Sequence, residues 1–183
     1  MNPTSALCAL MIVLTNHFTM AQKYETQPFD VIDQFEEAEL RYYPPVMKIQ
    51  SNGDFGSLFR YISGNNENGQ KIAMTTPVQM GNTQGEGVMQ FVLPKSFDAE
   101  NTPKASSGQV KVIQSEPGHY LAIQYGGYTM DWRERKAGQR LQEIAKKHGL
   151  QISGSSIIMV YNSPYQVFNR KNEVLYKVIV SEQ

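Results

Sequence analysis

Between Phe55 and Met80 the chain reads FGSLFRYISGNNENGQKIAMTTPVQM, in which a helical pattern, a polar turn and a strand pattern follow one another directly. Phe55, Leu58, Phe59 and Ile62 recur at helical spacing, and Asp54 stands where an N-cap belongs. Gly64, Asn65, Asn66, Asn68 and Gly69 then supply residue types that tolerate positive φ, so the helix is expected to stop there. After the turn, Ile72, Met74, Thr76 and Val78 share one face of an extended run, with Pro77 marking an edge or a bulge. A helix this short buries little unless something covers its other side, so the unit calls for a larger sheet.

The rest of the chain supplies that sheet. In the first half, strands are expected at Phe29–Phe35, Glu39–Ile49, Lys71–Met80 and Val88–Leu93 around a helix near Asp54–Ser63. In the second, strands at Gln109–Gln114, Tyr120–Tyr125, Ser156–Tyr161 and Glu173–Val180 surround a longer helix at Trp132–His148. The linker 94–108 contains Pro94, Pro103 and Gly108 and reads as an exposed connection. On the longer helix, Trp132, Ala137, Leu141, Ile144, Ala145 and His148 trace one face; Asp131 and Glu134 have capping-box spacing, and Gly149 is a natural stop. Two copies of strand–strand–helix–strand–strand indicate an α+β domain. A curved antiparallel sheet would pack on two helices.

Three blocks carry a family likeness: Lys71-Ile72-Ala73-Met74-Thr75-Thr76-Pro77-Val78, Gln124-Tyr125-Gly126-Gly127-Tyr128 before the second helix, and Val160-Tyr161-Asn162-Ser163-Pro164 followed by Asn169 to Val174. With these in order from about Tyr24 to Val180, the chain resembles the SOUL haem-binding family. The resemblance implies the same α+β fold, a distorted antiparallel barrel with a pseudo-twofold repeat of strand–strand–helix–strand–strand. It further implies a non-covalent haem or tetrapyrrole ligand held on and beside the first helix, at Phe55, Leu58, Phe59 and Ile62, with Arg60 available to a propionate. It also points to Tyr42 as the position matching a histidine of some family members. A phenolate there would be helped by a nearby cation such as Arg41, with His119 as a lesser candidate for iron. Read without the resemblance, Arg60 is a solvated surface arginine, Tyr42 an ordinary strand tyrosine, His119 a rim histidine and His148 a cation suited to a helix C-terminus. The Asn162–Glu173 block reads as the connection that sets the register of the last strand, with Arg170 able to pair with Glu173.

Other chemistries find little support. Lys and Arg number 17, as do Asp and Glu, and no basic run exceeds a pair such as Lys146-Lys147, so a nucleic-acid partner is not expected. The Glu36-Glu37 pair reads as solvated turn residues. There is no nucleophile elbow, P-loop, H-E-x-x-H or G-x-G-x-x-G before a helix, so no enzyme is expected. Residues 6–14 (ALCALMIVL) form an apolar run too short to span a bilayer, and Thr19-Met20-Ala21 resembles a signal-peptidase site. A signal peptide over residues 1–21 and a single exported domain over 22–183 are therefore expected, with no stable membrane insertion, although no Lys or Arg precedes Lys23. The alternative is a cytoplasmic protein. The only cysteine, Cys8, would leave with that segment, which removes disulfides and thiolate-ligated haem; C-x-x-C-H is also missing. What remains is a ligand-binding protein, expected as a monomer, with haem as the first reading. A general module for flat hydrophobic molecules and a protein-interaction scaffold are the alternatives. Met47, Met74, Met80, Met89, Met130 and Met159 could line an adaptable pocket or simply form core.

Overall fold

The computed structural model describes residues 24–83 and 86–180; the expected signal peptide and its cleavage site lie outside them. In chain order the elements are β1 (Glu25–Thr26), β2 (Asp30–Phe35), β3 (Ala38–Tyr43), β4 (Met47–Ser51), α1 (Phe55–Ile62), β5 (Thr75–Thr76), β6 (Val78–Thr83), β7 (Glu86–Val92), β8 (Lys111–Gln114), β9 (Gly118–Gly126), α2 (Asp131–Lys147), β10 (Ile152–Val160) and β11 (Lys171–Val178). Nine strands form one antiparallel sheet, ordered β2-β3-β9-β11-β10-β6-β7-β4-β8, while β1 and β5 pair in parallel.

One connection dictates the shape of this sheet. β3 is second in the order and β4 eighth, yet only Pro44, Pro45 and Val46 separate them in the chain. Extended chain from Tyr43 to Met47 reaches roughly 14 Å, whereas six inter-strand spacings in a flat sheet would amount to roughly 29 Å. The sheet therefore curls until its ends approach, without closing, since β2 and β8 do not pair. This is the expected α+β curved sheet.

Both helices lie on the same face of the sheet. α2 buries Ala137, Leu141, Ile144 and Ala145 against Leu121, Ile123, Ile158 and Val174. α1 buries Leu58, Tyr61 and Ile62 against Ile49, Phe91 and Leu93. The opposite face, by the strict alternation of strand side chains, carries Tyr43, Ala122, Met159 and Leu175 together with several polar groups.

Several local expectations need correction. The strand expected over Glu39–Ile49 is two strands, because Pro44 and Pro45 interrupt the ladder where the chain crosses the sheet. The strand expected over Lys71–Met80 is present only from Thr75. Pro77 follows a cis peptide and introduces β6, a strand flanked by β10 and β7, so it marks neither an edge nor a bulge. In the turn after α1, Gly64 and Gly69 take positive φ but the asparagines do not. Asn66 works instead through its amide, donating to the Tyr61 and Gln70 carbonyls and accepting from Gln70 N. The linker 94–108 is pinned to α1, where the buried Tyr61 hydroxyl donates to Pro103 O at 2.5 Å.

On α2, Met130 is the N-cap and makes no side-chain cap; Asp131 lies one residue too far into the helix to form the expected box. Trp132 is 53% exposed and not on the buried face. His148 is the C-cap and Gly149, at φ +68°, ends the helix as expected. The Glu36-Glu37 pair is held to α2: Arg140 Nε donates to Glu37 Oε1 at 2.5 Å and Lys147 Nζ to Glu36 Oε1 at 2.7 Å. Asn162 Oδ1 accepts from Lys171 N at 2.6 Å, which sets the start of β11 as the sequence implied. Arg170, however, donates to the Ser163 and Gln166 carbonyls and leaves Glu173 to other partners.

The burial difference along α2 is testable. Leu141→Ala is expected to cost about 2–5 kcal/mol of unfolding free energy, while Trp132→Ala shifts it by no more than about 0.5 kcal/mol. Urea denaturation of both variants checks this.

Candidate functional site

The exposed surface of α1 begins with its cap. Asp54 accepts from Gly56 N at 2.8 Å, and Ser57 links Asp54 to Arg60, whose Nη2 donates to Ser57 Oγ at 2.8 Å. These hydrogen bonds, from Ser57 first, hold the Asp54 carboxyl below its usual range. The four apolar positions of the helix divide as their angular separation requires. Leu58 and Ile62 are buried in the core, whereas Phe55 and Phe59 are 46% and 51% exposed. The two exposed rings are parallel to within 13° with centroids 6.0 Å apart, and Phe55 meets the buried Phe91 edge-on at 5.1 Å. Arg60 is also exposed. A flat apolar disc would find two phenyl faces here and one cation beside them.

Tyr42 and His119 are brought together, but on other elements. They face each other across β3 and β9 with ring centroids 5.2 Å apart, while α1 packs on β4 and β7. Arg41 does not support Tyr42. Successive strand residues point to opposite faces, and the Arg41 guanidinium is committed to Glu173 on the other side of the sheet.

That other face holds a buried polar network. Arg41 grips Glu173 with two hydrogen bonds of 2.9 and 3.1 Å, Tyr161 donates to the same carboxylate at 2.7 Å, and Lys171 lies 3.1 Å away. Arg41 also bonds Glu39 and the Tyr43 hydroxyl and covers the Phe29 ring at 4.2 Å. Glu173 is fully buried. Burial alone would push its carboxyl up, but the bonds and charge of Arg41, with Tyr161 and Lys171, hold it below the usual carboxylate range. Burial and this carboxylate push the Tyr161 hydroxyl well up. Burial pushes Tyr43 up to about 12 against the pull of Arg41. Among the described residues, the carboxyl pushed upward is Glu134, by partial burial and then Asp131, in the first turn of α2. Among the described residues, no three His, Cys, Asp or Glu side chains group as a metal site, and no helix is long and apolar enough to cross a membrane.

Glu173, Arg41 and Tyr161 were not singled out together from the sequence. The available signal was a charged residue inside each of two strand patterns, but nothing local pairs positions 132 residues apart.

An open, curled antiparallel sheet with two helices on one face defines an α+β domain of the SOUL type. The sequence model described as SOUL heme-binding protein matches residues 24–177, and the chain belongs to that family. Haem binding is the activity that membership supports. The fold is also similar to that of a hydrolase from Listeria innocua, with TM-score 0.58 and 10% identity, covering 81% of this chain and 94% of that one. The EcmrR C-terminal domain is similar at TM-score 0.55 and 12% identity, covering 80% of this chain and 99% of that one. At such identities the likeness is one of fold alone. No curated protein sequence matches the chain.

Replacing one partner of the Arg41–Glu173 pair leaves the other buried and uncompensated, so Arg41→Met is expected to cost about 3–5 kcal/mol in urea unfolding. The pH dependence has a defined sign. A carboxyl whose folded value lies below its ordinary 4.5 contributes fully above that pH, and the contribution is lost as the pH falls through the folded value. Unfolding midpoints measured between pH 6 and pH 3 should decline more steeply for the native chain than for Glu173→Gln.

Proposed function

We propose that the protein binds haem or a related tetrapyrrole non-covalently on the exposed surface of α1, and that it carries or buffers this ligand without transforming it. The observation that carries the reading is the parallel, half-exposed pair Phe55 and Phe59, backed by core residues Leu58 and Ile62, in a chain of the SOUL family. Apolar contact with the two rings supplies most of the affinity, and Arg60 pairs with a propionate. The exposed residues of α1 include no histidine, methionine or tyrosine, so the iron is not gripped from the helix itself. The Tyr42–His119 pair, a phenol and an imidazole on strands away from α1, is the alternative place at which iron would be held. In this reading the chain acts as an exported monomer once residues 1–21 are removed. Apart from β2, which has no counterpart, the strand order runs alike outward from the β10–β6 pair, and this supports an origin by duplication of a strand–strand–helix–strand–strand unit.

Absorbance titration of the purified chain with haemin tests this. Saturable one-to-one binding with a shifted Soret band is expected, weakened about tenfold, or ~1.4 kcal/mol, in Phe59→Ala, with unfolding free energy unchanged to within about 0.5 kcal/mol because the ring is half exposed. A charge-transfer band lost only in Tyr42→Phe would assign that tyrosine to the iron. Spectra that never saturate and are the same in all three proteins would remove haem as the ligand.

A further inference from the structure

The face of the sheet opposite the helices holds a second feature that the haem reading does not use. Met47 and Ile49 of β4 point into the α1 core, so Lys48 between them points to the other face, where it is 8% exposed. Its Nζ donates to Gln79 Oε1 at 2.7 Å, and the Gln79 amide in turn donates to Gln27 Oε1. Gln79 and Gln27 are equally buried, at 3% and 5% exposure. Lys48 takes part in no ion pair among the described residues, and burial, unopposed by any carboxylate, pushes its ammonium down to about 8.

This isolated cation borders empty space. Lys48, Gln79, Tyr43, Tyr120 and Met159 enclose a cavity of about 30 Å³, enough for a carboxylate group or a water or two. Gln79, Tyr120 and Ile157 also form the wall of an adjoining cleft of about 250 Å³, which continues over Val88 to the Ser153–Ser156 stretch of β10. A buried ammonium with no counter-charge is unfavourable unless an anion enters beside it. Two of its three N–H bonds remain for that anion. Burial pushes the Tyr120 hydroxyl up, so it stays protonated and able to donate. The other charged groups nearby do not neutralise Lys48: Glu116 sits at the solvent-exposed rim, Lys177 lines the outer cleft, and Glu173 is saturated by Arg41 behind Tyr43.

We propose that this cleft is a binding site for a small carboxylate with an apolar body, its carboxylate seated between Lys48 Nζ and the Tyr120 hydroxyl and its body lying along Ile157 and Val88. A cleft of about 250 Å³ lies below the roughly 300–1,000 Å³ of sites for drug-sized molecules, so a small acid is the size of ligand it suits. The site is thus separate from the α1 surface in both ligand and position.

Isothermal titration of the full chain with benzoate, and with benzamide as the uncharged isostere, tests the proposal. One-to-one benzoate binding is expected, with benzamide at least tenfold weaker. Benzoate affinity should fall by about tenfold per pH unit once the pH passes the ammonium value of about 8. Lys48→Met should abolish binding, and Lys48→Gln, which keeps a hydrogen-bond donor for Gln79, should weaken it at least tenfold while retaining the native circular dichroism spectrum. Phe59→Ala should bind benzoate like the native chain, and Lys48→Gln should take up haemin like it, which separates this site from the haem reading. Absence of benzoate binding, equal binding of benzamide, or unchanged affinity in a folded Lys48→Gln would each overturn the proposal.

Discussion

A three-residue crossing governs this molecule. Tyr43 and Met47 belong to strands near opposite ends of a nine-strand sheet, and the chain between them is too short to span that sheet if it were flat. Two prolines in the crossing remove the N–H donors that would otherwise extend the ladder through it. The sheet must curl, and curling makes its faces inequivalent. One face takes both helices and becomes the main core. The other turns inward on itself, so residues from β3, β4, β6, β9, β10 and β11 meet around a single small cavity.

The inward face is where the polar residues of the interior collect, and they do so in two electrostatic styles. Arg41 and Glu173 neutralise one another with bidentate geometry, and Tyr161 and Lys171 fill the remaining acceptor capacity of the carboxylate. Such a network is costly to desolvate and strongly directional, and it ties β3 to β11 across the intervening β9 more than it adds stability. Lys48 is the contrary case, a cation with an amide partner and no counter-ion. The asymmetry between these neighbours distinguishes a structural charge from one that still has an interaction to make.

On the outer side, α1 shows why a very short helix can be both core and surface. Eight residues make little more than two turns, so one stripe of Leu58, Tyr61 and Ile62 is all the sheet can cover. Phe55 and Phe59, one turn apart on the neighbouring stripe, are left to stack on each other at the edge of the core. Their position follows from helix geometry, since adjacent residues such as Leu58 and Phe59 point about 100° apart around the axis.

Local chemistry was legible in the chain itself. The Asp54 cap, the Gly149 stop, the Asn162 turn and the family blocks all depend on residues within about a turn or a strand of one another. Some expectations failed locally, at Pro44–Pro45 and at the Asp131 cap; the others are those a distant partner decides. Trp132 fits the helical stripe of α2 but lies beyond the reach of the sheet, so it stays exposed. Arg170 is close to Glu173 in sequence, yet β3 brings Arg41 to that carboxylate from 132 residues away. Lys48 reads as an ordinary polar residue of an alternating strand, Met47-Lys48-Ile49-Gln50-Ser51, until the curl of the sheet seals it behind Gln79 and Tyr120. The sequence by itself determined the kinds and approximate places of the main elements, and the family. Only the tertiary structure decided which charges are buried and with whom, because burial and pairing are properties of strand order and curvature, which no local pattern encodes.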